Sequence, residues 1–220
     1  ELTLTNLPWR IDRKKVCKAL GSPSPRNLHI INDLEAMAWS IPVLAEQDLV
    51  LINKGRLIKE KPRAIIAPGT GLGEAYLIWD GKQYHAIASE GGHSDFAPPY
   101  PCYTEMLHFL QQEYGAVSNE LVCSGRGIPS IYTWLRRGKG LKEPDRLRQE
   151  RLKAEDPTPV IIRAAIEKGH LCRIAKETLH IFLTILAAEA GNMALRLLTQ
   201  GGVYLAGGIL PRIIEAVRAF

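Results

Sequence analysis

Short apolar runs separated by glycine-rich or polar turns dominate the chain from residue 63 onward. Three runs have the length and composition of strands: RAIIAPG (63–69), EAYLIWD (74–80) and QYHAIASE (83–90). The sequence GTGLG separates the first two, and Asp80-Gly81 between the last two predicts a tight hairpin turn. A later run, VYLA (203–206), predicts a fourth strand before a Gly-Gly pair.

Longer stretches with helical periodicity follow these strands. We predict helices near TEMLHFLQQEY (104–114), after Gly127, from TPVIIRAAIEKG (158–169), over Leu171–Leu198 and near PRIIEAV (211–217). A strand meander followed by helices, and then by another strand and helix, indicates a mixed α/β architecture.

The first 44 residues have a different pattern. TNLPW (5–9) predicts an extended segment because of its proline, and DRKKVCKALG (12–21) predicts a short helix. HIIND (29–33) predicts a strand that ends in two polar residues, and a further helix follows at once. The pattern changes again between residues 42 and 62, so we expect domains at 1–44 and 45–220.

Composition and charge limit the classes of partner that the chain could bind. The 220 residues are 46% hydrophobic, which is enough for one substantial core or for a large domain with a small one. The net charge of +5 is mild and suits an anionic ligand such as a nucleotide. A nucleic-acid partner is not expected, because the basic stretch Trp134–Lys153 is mixed with acids and indicates a solvated loop and helix face.

Cysteine usage and hydropathy indicate the compartment. The four cysteines lie far apart and form no CxxC pair, which argues against a zinc knuckle and predicts reduced thiols in a cytoplasmic protein. No uninterrupted apolar run approaches the roughly 18 residues of a membrane span. The longest candidate, residues 179–198, is interrupted by polar and charged residues that include Glu189 and Arg196, and it predicts a buried helix.

Two stretches of the chain carry candidate chemistry. Asp33 follows Asn32 at a predicted strand-to-helix junction, where it could cap the helix for about 1 kcal/mol or accept a proton from a substrate. The stretch PGTGLGE (68–74) could bring backbone N–H groups close to an anion, or it could be an ordinary tight hairpin. It is neither a P-loop nor a dinucleotide-binding fingerprint, because neither Lys-Ser/Thr nor a helix follows.

Two more glycine-rich stretches are informative. SEGGHSDFAP (89–98) places Glu90 and His93 on either side of two glycines, a pattern that suits hydrogen bonding to a polyhydroxy ligand. A metal site and a plain polar loop are the alternatives. GGVYLAGGI (201–209) places Gly207-Gly208 between a strand and a helix, where a phosphate or a flat group could approach, and simple turn chemistry is the alternative.

Taken together, these motifs resemble the bacterial glucokinase family of the non-ROK type, within the hexokinase and actin-like ATPase superfamily. The stretches that carry the resemblance are TNLPW (5–9), IIND (30–33), GTGLG (69–73), EGGHSDFAP (90–98), VSNELVCSG (117–125) and GGVYLAGGILPR (201–212). It covers nearly the whole chain, and residues 138–157 are the least alike.

The resemblance implies an α/β, actin-like ATPase (ribonuclease H-like) fold. Residues 1–44 would be the C-terminal part of the small domain, and residues 45–220 a large α+β domain truncated at its C-terminal end. The family's first phosphate-binding turn, of the DxGGTN type, has no counterpart here. The chain therefore looks like a fragment, which we expect to bind sugar weakly, to show no ATP-dependent turnover and to associate.

The function implied is that of an ATP-dependent hexose kinase that phosphorylates the 6-hydroxyl of glucose, the first step of glycolysis. By resemblance, the catalytic base is Asp33. The sugar-binding residues are Asn32, Glu90, His93 and Glu120. The nucleotide-binding residues are Gly69, Thr70, Gly71, Gly207 and Gly208. The assignment of Glu120 depends on the resemblance alone.

The remaining expectations concern cofactors, partners and rival functions. Mg²⁺ is expected to arrive with ATP rather than in a protein site. The partners are then a sugar and a nucleotide, and a homodimer is left open. Two alternatives stand beside the glucose kinase: a catalytically inactive sugar-binding or regulatory module derived from the same fold, and a kinase for another sugar.

Overall fold

The computed structural model describes residues 2–3, 10–21, 24, 26 and 28–220. Its contacts divide the chain into two compact units, residues 1–33 and 34–220. The extended segment predicted at 5–9 lies outside the described residues. The predicted domains 1–44 and 45–220 remain a prediction.

The smaller unit contains a short hairpin and one helix. Strands β1 (Leu2–Thr3) and β2 (Arg10–Ile11) pair antiparallel. Helix α1 (Arg13–Ala19) begins after Asp12, whose carboxylate accepts a hydrogen bond from the N–H of Lys14 at 2.8 Å. The helix predicted over 12–21 is therefore confirmed.

The strand predicted over HIIND was wrong. Residues 28–32 have no regular secondary structure, and helix α2 (Asp33–Ser40) begins directly after them. A strand needs a neighbour to accept its backbone hydrogen bonds, and within the described part of the chain none runs beside these residues. The helix ends near Pro42 as predicted, in a short 3-10 turn over Ile41–Val43.

The larger unit is built on a four-stranded sheet with the order β5-β4-β3-β6. Its strands are β3 (Arg63–Pro68), β4 (Leu72–Trp79), β5 (Tyr84–Ser89) and β6 (Val203–Leu205). Strands β3, β4 and β5 form an antiparallel meander, whereas β6 is parallel to β3. The four strands predicted from residue 63 onward are therefore confirmed.

The two connections within the meander differ in length. The Asp80-Gly81 turn is present, with the N–H of Asp80 donating to the carbonyl of Gln83 at 3.1 Å and Gly81 at a φ of +100°. Strand β4 begins at Leu72, earlier than predicted, because Leu72 pairs with Pro68. Only residues 69–71 remain as the connection between β3 and β4.

Alternate residues of the sheet face different layers, as the two-residue period of a strand requires. One face, which includes Ile66 and Tyr76, packs against the main helical core. The opposite face, which includes Ile65 and Leu77, packs against Ala38 of α2. The sheet is thus covered on both sides.

Seven further helices complete the described part of this unit. They are α3 (Thr104–Tyr114), α4 (Asn119–Val122), α5 (Gly127–Arg137), α6 (Asp145–Lys153), α7 (Thr158–Ile166), α8 (Arg173–Leu197) and α9 (Ile214–Ala219). Helix α8 packs against both α5 and α7. The predicted helices are confirmed, with the last one preceded by a 3-10 turn over Leu210–Ile213.

The basic stretch 134–153 forms the end of α5, a loop and α6. Its one buried acid, Glu143, accepts a hydrogen bond from the guanidinium of Arg151 at 2.8 Å and from the hydroxyl of Tyr132 at 3.0 Å. Part of the positive charge is therefore neutralised within the fold.

Helix α8 is long and apolar enough, by length and composition, to cross a membrane. In the described structure, 56% of its apolar window is buried against the rest of the unit. Because a buried core helix passes the same test, the match is weak evidence for a membrane span.

Candidate active site

Three connections of the larger unit leave the same edge of the sheet. Strands β3 and β6 are parallel, so the turn after β3 and the turn after β6 emerge together. Strand β5 runs antiparallel to β4, and its last residue, Ser89, pairs with Glu74 near the start of β4. The connections 69–71, 90–93 and 206–208 are therefore gathered at one edge.

The turn over 69–71 is tight and is fixed by backbone hydrogen bonds. The N–H of Gly69 donates to the carbonyl of Gly71 at 2.8 Å, and the N–H of Gly125 donates to the carbonyl of Gly69 at 2.7 Å. Thr70 is exposed at the tip. The turn thus presents a hydroxyl and a bare backbone at the sheet edge.

Glu120 is joined to this turn. It lies in the first turn of α4, and its Oε2 accepts a hydrogen bond from the N–H of Leu72 at 2.9 Å. A side chain at Gly71 would overlap the Glu120 carboxyl. The residue that only the resemblance singled out is therefore in contact with the glycine turn.

The loop over 90–93 places an acid and an imidazole near each other. Gly91–His93 form a single 3-10 turn, and Oε2 of Glu90 lies 3.7 Å from Nε2 of His93. Both side chains are largely exposed, whereas Gly92 is buried against the backbone of Leu72. A carboxylate and an imidazole in this arrangement can accept from and donate to ligand hydroxyl groups.

The same loop is fastened to the segment that carries Glu120. The N–H of Asn119 donates to the carbonyl of Ser94 at 2.9 Å, and the N–H of Phe96 donates to the carbonyl of Val117 at 2.9 Å. These bonds fix the residues directly after loop 90–93 against the start of α4.

Gly207 approaches the end of β3 closely. Its φ is +88°, and a Cβ at this position would lie 2.5 Å from the carbonyl oxygen of Pro68. The N–H of Ala206 donates to the carbonyl of Ile66 at 2.9 Å and fixes the turn. Gly208 is exposed, and no described heavy atom lies within 4 Å of a Cβ built on it.

Asn32 and Asp33 belong to the smaller unit. Asp33 is the first residue of α2 and Asn32 precedes it, so a helix cap would fall at Asn32 rather than at Asp33. Both side chains are exposed, and each takes part in a noncovalent interaction. Their roles as sugar ligand and base remain predictions.

A polar cluster near the loop, in which Glu74, Glu189 and Asn119 are buried and Arg196 is exposed, was missed by the sequence analysis. Nη1 of Arg196 lies 2.7 Å from Oε1 of Glu189 and 3.8 Å from Oε2 of Glu74. The amide of Asn119 donates to Glu189 at 3.2 Å and to Ser94 at 3.1 Å. The seven-residue spacing of Glu189 and Arg196 on a helix was the available signal, because it places both on one face.

Glu74 is the buried acid of this cluster whose carboxyl oxygens accept no hydrogen bond from a described residue, with Arg196 3.8 Å away. Burial and the neighbouring Glu189 carboxylate raise the pKa of Glu74 to about 7, and the positive charge of Arg196 offsets part of the rise. No group of three or more His, Cys, Asp or Glu side chains that could hold a metal ion occurs among the described residues.

The chain matches the family described as Glucokinase over residues 1–219. It is 38% identical to the glucokinase of Nostoc punctiforme over 227 residues, which cover 98% of this chain and 65% of that protein. It is similar to the crystal structure of glucokinase from an Antarctic psychrotroph, with a TM-score of 0.81 at 30% identity over 98% of this chain and 62% of that one.

A more distant similarity bears on the fold alone. The ROK family glucokinase from Streptomyces griseus, in complex with glucose and AMPPNP, gives a TM-score of 0.61 at 18% identity over 97% of this chain and 63% of that one. These similarities confirm the predicted actin-like ATPase fold. The chain spans 62 to 65% of the length of these three relatives.

Proposed function

The chain belongs to the glucokinase family, and we propose that the protein is an ATP-dependent hexose kinase that phosphorylates the 6-hydroxyl of glucose, the first step of glycolysis. The observation that carries this proposal is the sheet edge where the loop 90–93 and two glycine turns emerge together. Phosphoryl transfer requires a hydroxyl acceptor and a phosphate donor to be held close together. At this edge, the polar loop suits the hydroxyl acceptor and the glycine turns suit the phosphate donor.

The sugar would bind to the polar side chains. Glu90 and His93 are exposed beside each other and can hydrogen-bond neighbouring hydroxyl groups. Glu120 has one carboxylate oxygen engaged by Leu72 and a second one that can accept from the sugar. We assign Asn32 to the same task by resemblance.

The nucleotide would bind to the two glycine turns. Gly71 packs closely against the Glu120 carboxyl and Gly207 against the Pro68 carbonyl, and neither glycine has a side chain that would cover the backbone at the edge where phosphates would arrive. The residues present therefore fit a phosphate-bearing ligand. We assign Gly69, Thr70 and Gly71 to the phosphates, and Gly207 and Gly208 to the adenosine side.

Mg²⁺ fits this site as a companion of the nucleotide. It commonly binds through substrate phosphates with several retained waters, so the absence of a three-ligand set among the described residues is compatible with it. When bound, the ion supplies charge neutralisation on the phosphates.

Asp33 would accept the proton of the sugar. The sugar's O6 attacks the γ-phosphorus in line, the bond from that phosphorus to the bridging oxygen of ADP breaks, and the O6 proton passes to the Asp33 carboxylate. The sugar-binding residues hold O6 in position, so the attack on the γ-phosphorus becomes effectively unimolecular.

The four cysteines, which are all free, fit a reducing compartment, and we propose a cytoplasmic location. A homodimer remains a proposal that the molar mass in solution would test.

The experiment that tests the function is ADP release by the complete gene product with glucose, mannose, fructose and N-acetylglucosamine as acceptors. We expect turnover to be greatest with glucose. Preference for another acceptor would replace glucose as the substrate. Glucose binding without ADP release from any acceptor would favour the inactive sugar-binding module.

A further inference from the structure

The loop 90–93 rests on a buried carboxyl group. Glu74 lies on β4 and points to the same face as Leu72 and Tyr76, and it is only 1% exposed. A side chain at Gly91 would overlap the Glu74 carboxyl. The backbone of Gly91 is therefore in direct contact with this acid.

The surroundings of Glu74 do not suit a charged group. Within the described part of the chain, neither carboxyl oxygen has a hydrogen-bond partner. The N–H of Gly91 donates to the hydroxyl of Ser89 at 3.0 Å instead. Arg196 lies 3.8 Å away and is hydrogen-bonded to Glu189. An ionised carboxylate buried without donors is costly, so this environment favours the neutral acid.

We propose that Glu74 is a positioning residue for the sugar-binding loop, and that its neutral carboxyl supports Gly91 in the conformation that presents Glu90 and His93. Ionisation of Glu74 then weakens sugar binding, because a buried charge is relieved most easily if the loop moves and admits water. The inference rests on the proposed function, since it takes the loop as part of the sugar site.

The environment of Glu74 places the ionisation of its carboxyl group in the neutral pH range. Its own pKa is raised to about 7. Arg196 and Glu189 on α8 form a hydrogen-bonded ion pair. Burial raises the pKa of Tyr76 on β4 and of Cys123 after α4, so both stay neutral in this range. On the loop itself, the side chains of Glu90 and His93 are largely exposed.

The test is the affinity for glucose as a function of pH, measured from pH 5.5 to 8.5 on the complete gene product by direct titration and by KM. We expect the wild-type affinity to fall about three- to tenfold between pH 6 and pH 8, which corresponds to a shift of about half to one pKa unit on sugar binding. Glu74→Gln keeps the shape of the neutral acid and should remove this fall, while kcat keeps the wild-type pH profile.

The control is Glu143→Gln, which changes another buried acid whose partners, Arg151 and Tyr132, belong to the helical layer. It should keep the wild-type pH dependence of glucose affinity. Both variants replace one acid by its amide, so the difference in pH dependence between Glu74→Gln and Glu143→Gln isolates Glu74.

Arg196→Gln provides an independent variant. Since Arg196 lowers the pKa of Glu74, its removal should move the fall in affinity to higher pH. Glu189 keeps its hydrogen bonds from Asn119 and Asn192 in this variant. If Glu74→Gln retains the wild-type pH profile, or Arg196→Gln does not move it upward, the inference is overturned while glucose turnover still supports the proposed function. Absence of glucose binding at every pH overturns both.

Discussion

Asp33 is the residue on which the proposed chemistry depends, and its place in the chain also suits a structural role. It is the first residue of α2, where a carboxylate interacts favourably with the helix dipole. A catalytic role and a helix-stabilising role predict different results for the same substitution. Kinetics and stability must therefore be measured together.

We expect Asp33→Asn to lower kcat by about 10²–10⁴-fold, the usual contribution of a positioned general base. The affinity for glucose should change little, because the amide keeps the shape of the side chain. Asp145→Asn is the matched control, since Asp145 is the first residue of α6 and has no proposed contact with substrate. Near-normal turnover in Asp33→Asn would leave Asp33 with a structural role only.

Glu74 makes stability depend on pH with a defined sign. Its pKa is about 7 in the folded chain against an ordinary value of 4.5, so the unfolded chain ionises first as the pH rises. The free energy of unfolding therefore falls between about pH 4.5 and pH 7 and is level beyond that range as far as this group is concerned.

The Glu74→Gln variant should not show this fall in unfolding free energy, because glutamine does not ionise. Relative to wild type, the variant should gain on the order of 2 kcal/mol in unfolding free energy between pH 5 and pH 8, because a neutral side chain replaces an acid that is costly to ionise. Urea denaturation at several pH values measures the difference. A difference that is the same at pH 5 and pH 8 would contradict the assigned titration.

At the scale of elements, the turn after β6 depends on a glycine that no other residue can replace without strain. Gly207→Ala should lower the unfolding free energy by about 1–3 kcal/mol, because the positive φ and the close approach to Pro68 both oppose a Cβ. Gly208→Ala is the control, with open space around its Cβ among the described residues and no unusual φ. Denaturant unfolding compares the two, and equal losses would refute the close approach.

Substitutions in the loop 90–93 should weaken sugar binding and leave the unfolding free energy unchanged. Because their side chains are largely exposed, Glu90→Gln and His93→Ala should each weaken glucose binding, by about 5- to 150-fold, without lowering the unfolding free energy. His85→Ala is the control, since His85 lies near the hairpin turn and pairs with Asp80. Calorimetric titration provides the affinities. Unchanged affinity in both loop variants would remove the loop from the sugar site.

The elements that could be predicted are those whose signals are local. The meander of β3, β4 and β5 follows from its apolar runs and from Asp80-Gly81, and α8 follows from its length and apolar content. The strand at 29–33 could not be excluded from its residues alone, because strand formation depends on a neighbour elsewhere in the chain.

The candidate site was predictable only in part for the same reason. The glycine turns and the acid-Gly-Gly-His loop are continuous motifs and can be found by inspection. Glu74, Glu189 and Arg196 come from two elements far apart in the sequence, and their contact depends on the packing of α8 against the sheet. Glu120 drew attention only through the resemblance, and its bond to Leu72 is likewise a long-range contact.

At the scale of the whole molecule, the larger unit organises its chemistry at one edge of a sheet that is covered on both faces. Two antiparallel pairings and one parallel pairing bring the ends of β3, β5 and β6 to that edge. This topology places the loop 90–93 and the turns over 69–71 and 206–208 at the same edge. We therefore expect a transferase that joins a sugar hydroxyl to a phosphate.

The most direct measurement of this claim is the identity of the product. The complete gene product is incubated with glucose, ATP and Mg²⁺, and the phosphorus-containing products are identified by ³¹P NMR. We expect glucose 6-phosphate and ADP in equal amounts, with Asp33→Asn forming the same ester far more slowly. Consumption of ATP to free phosphate with no sugar ester, or an ester at another hydroxyl, would contradict the account.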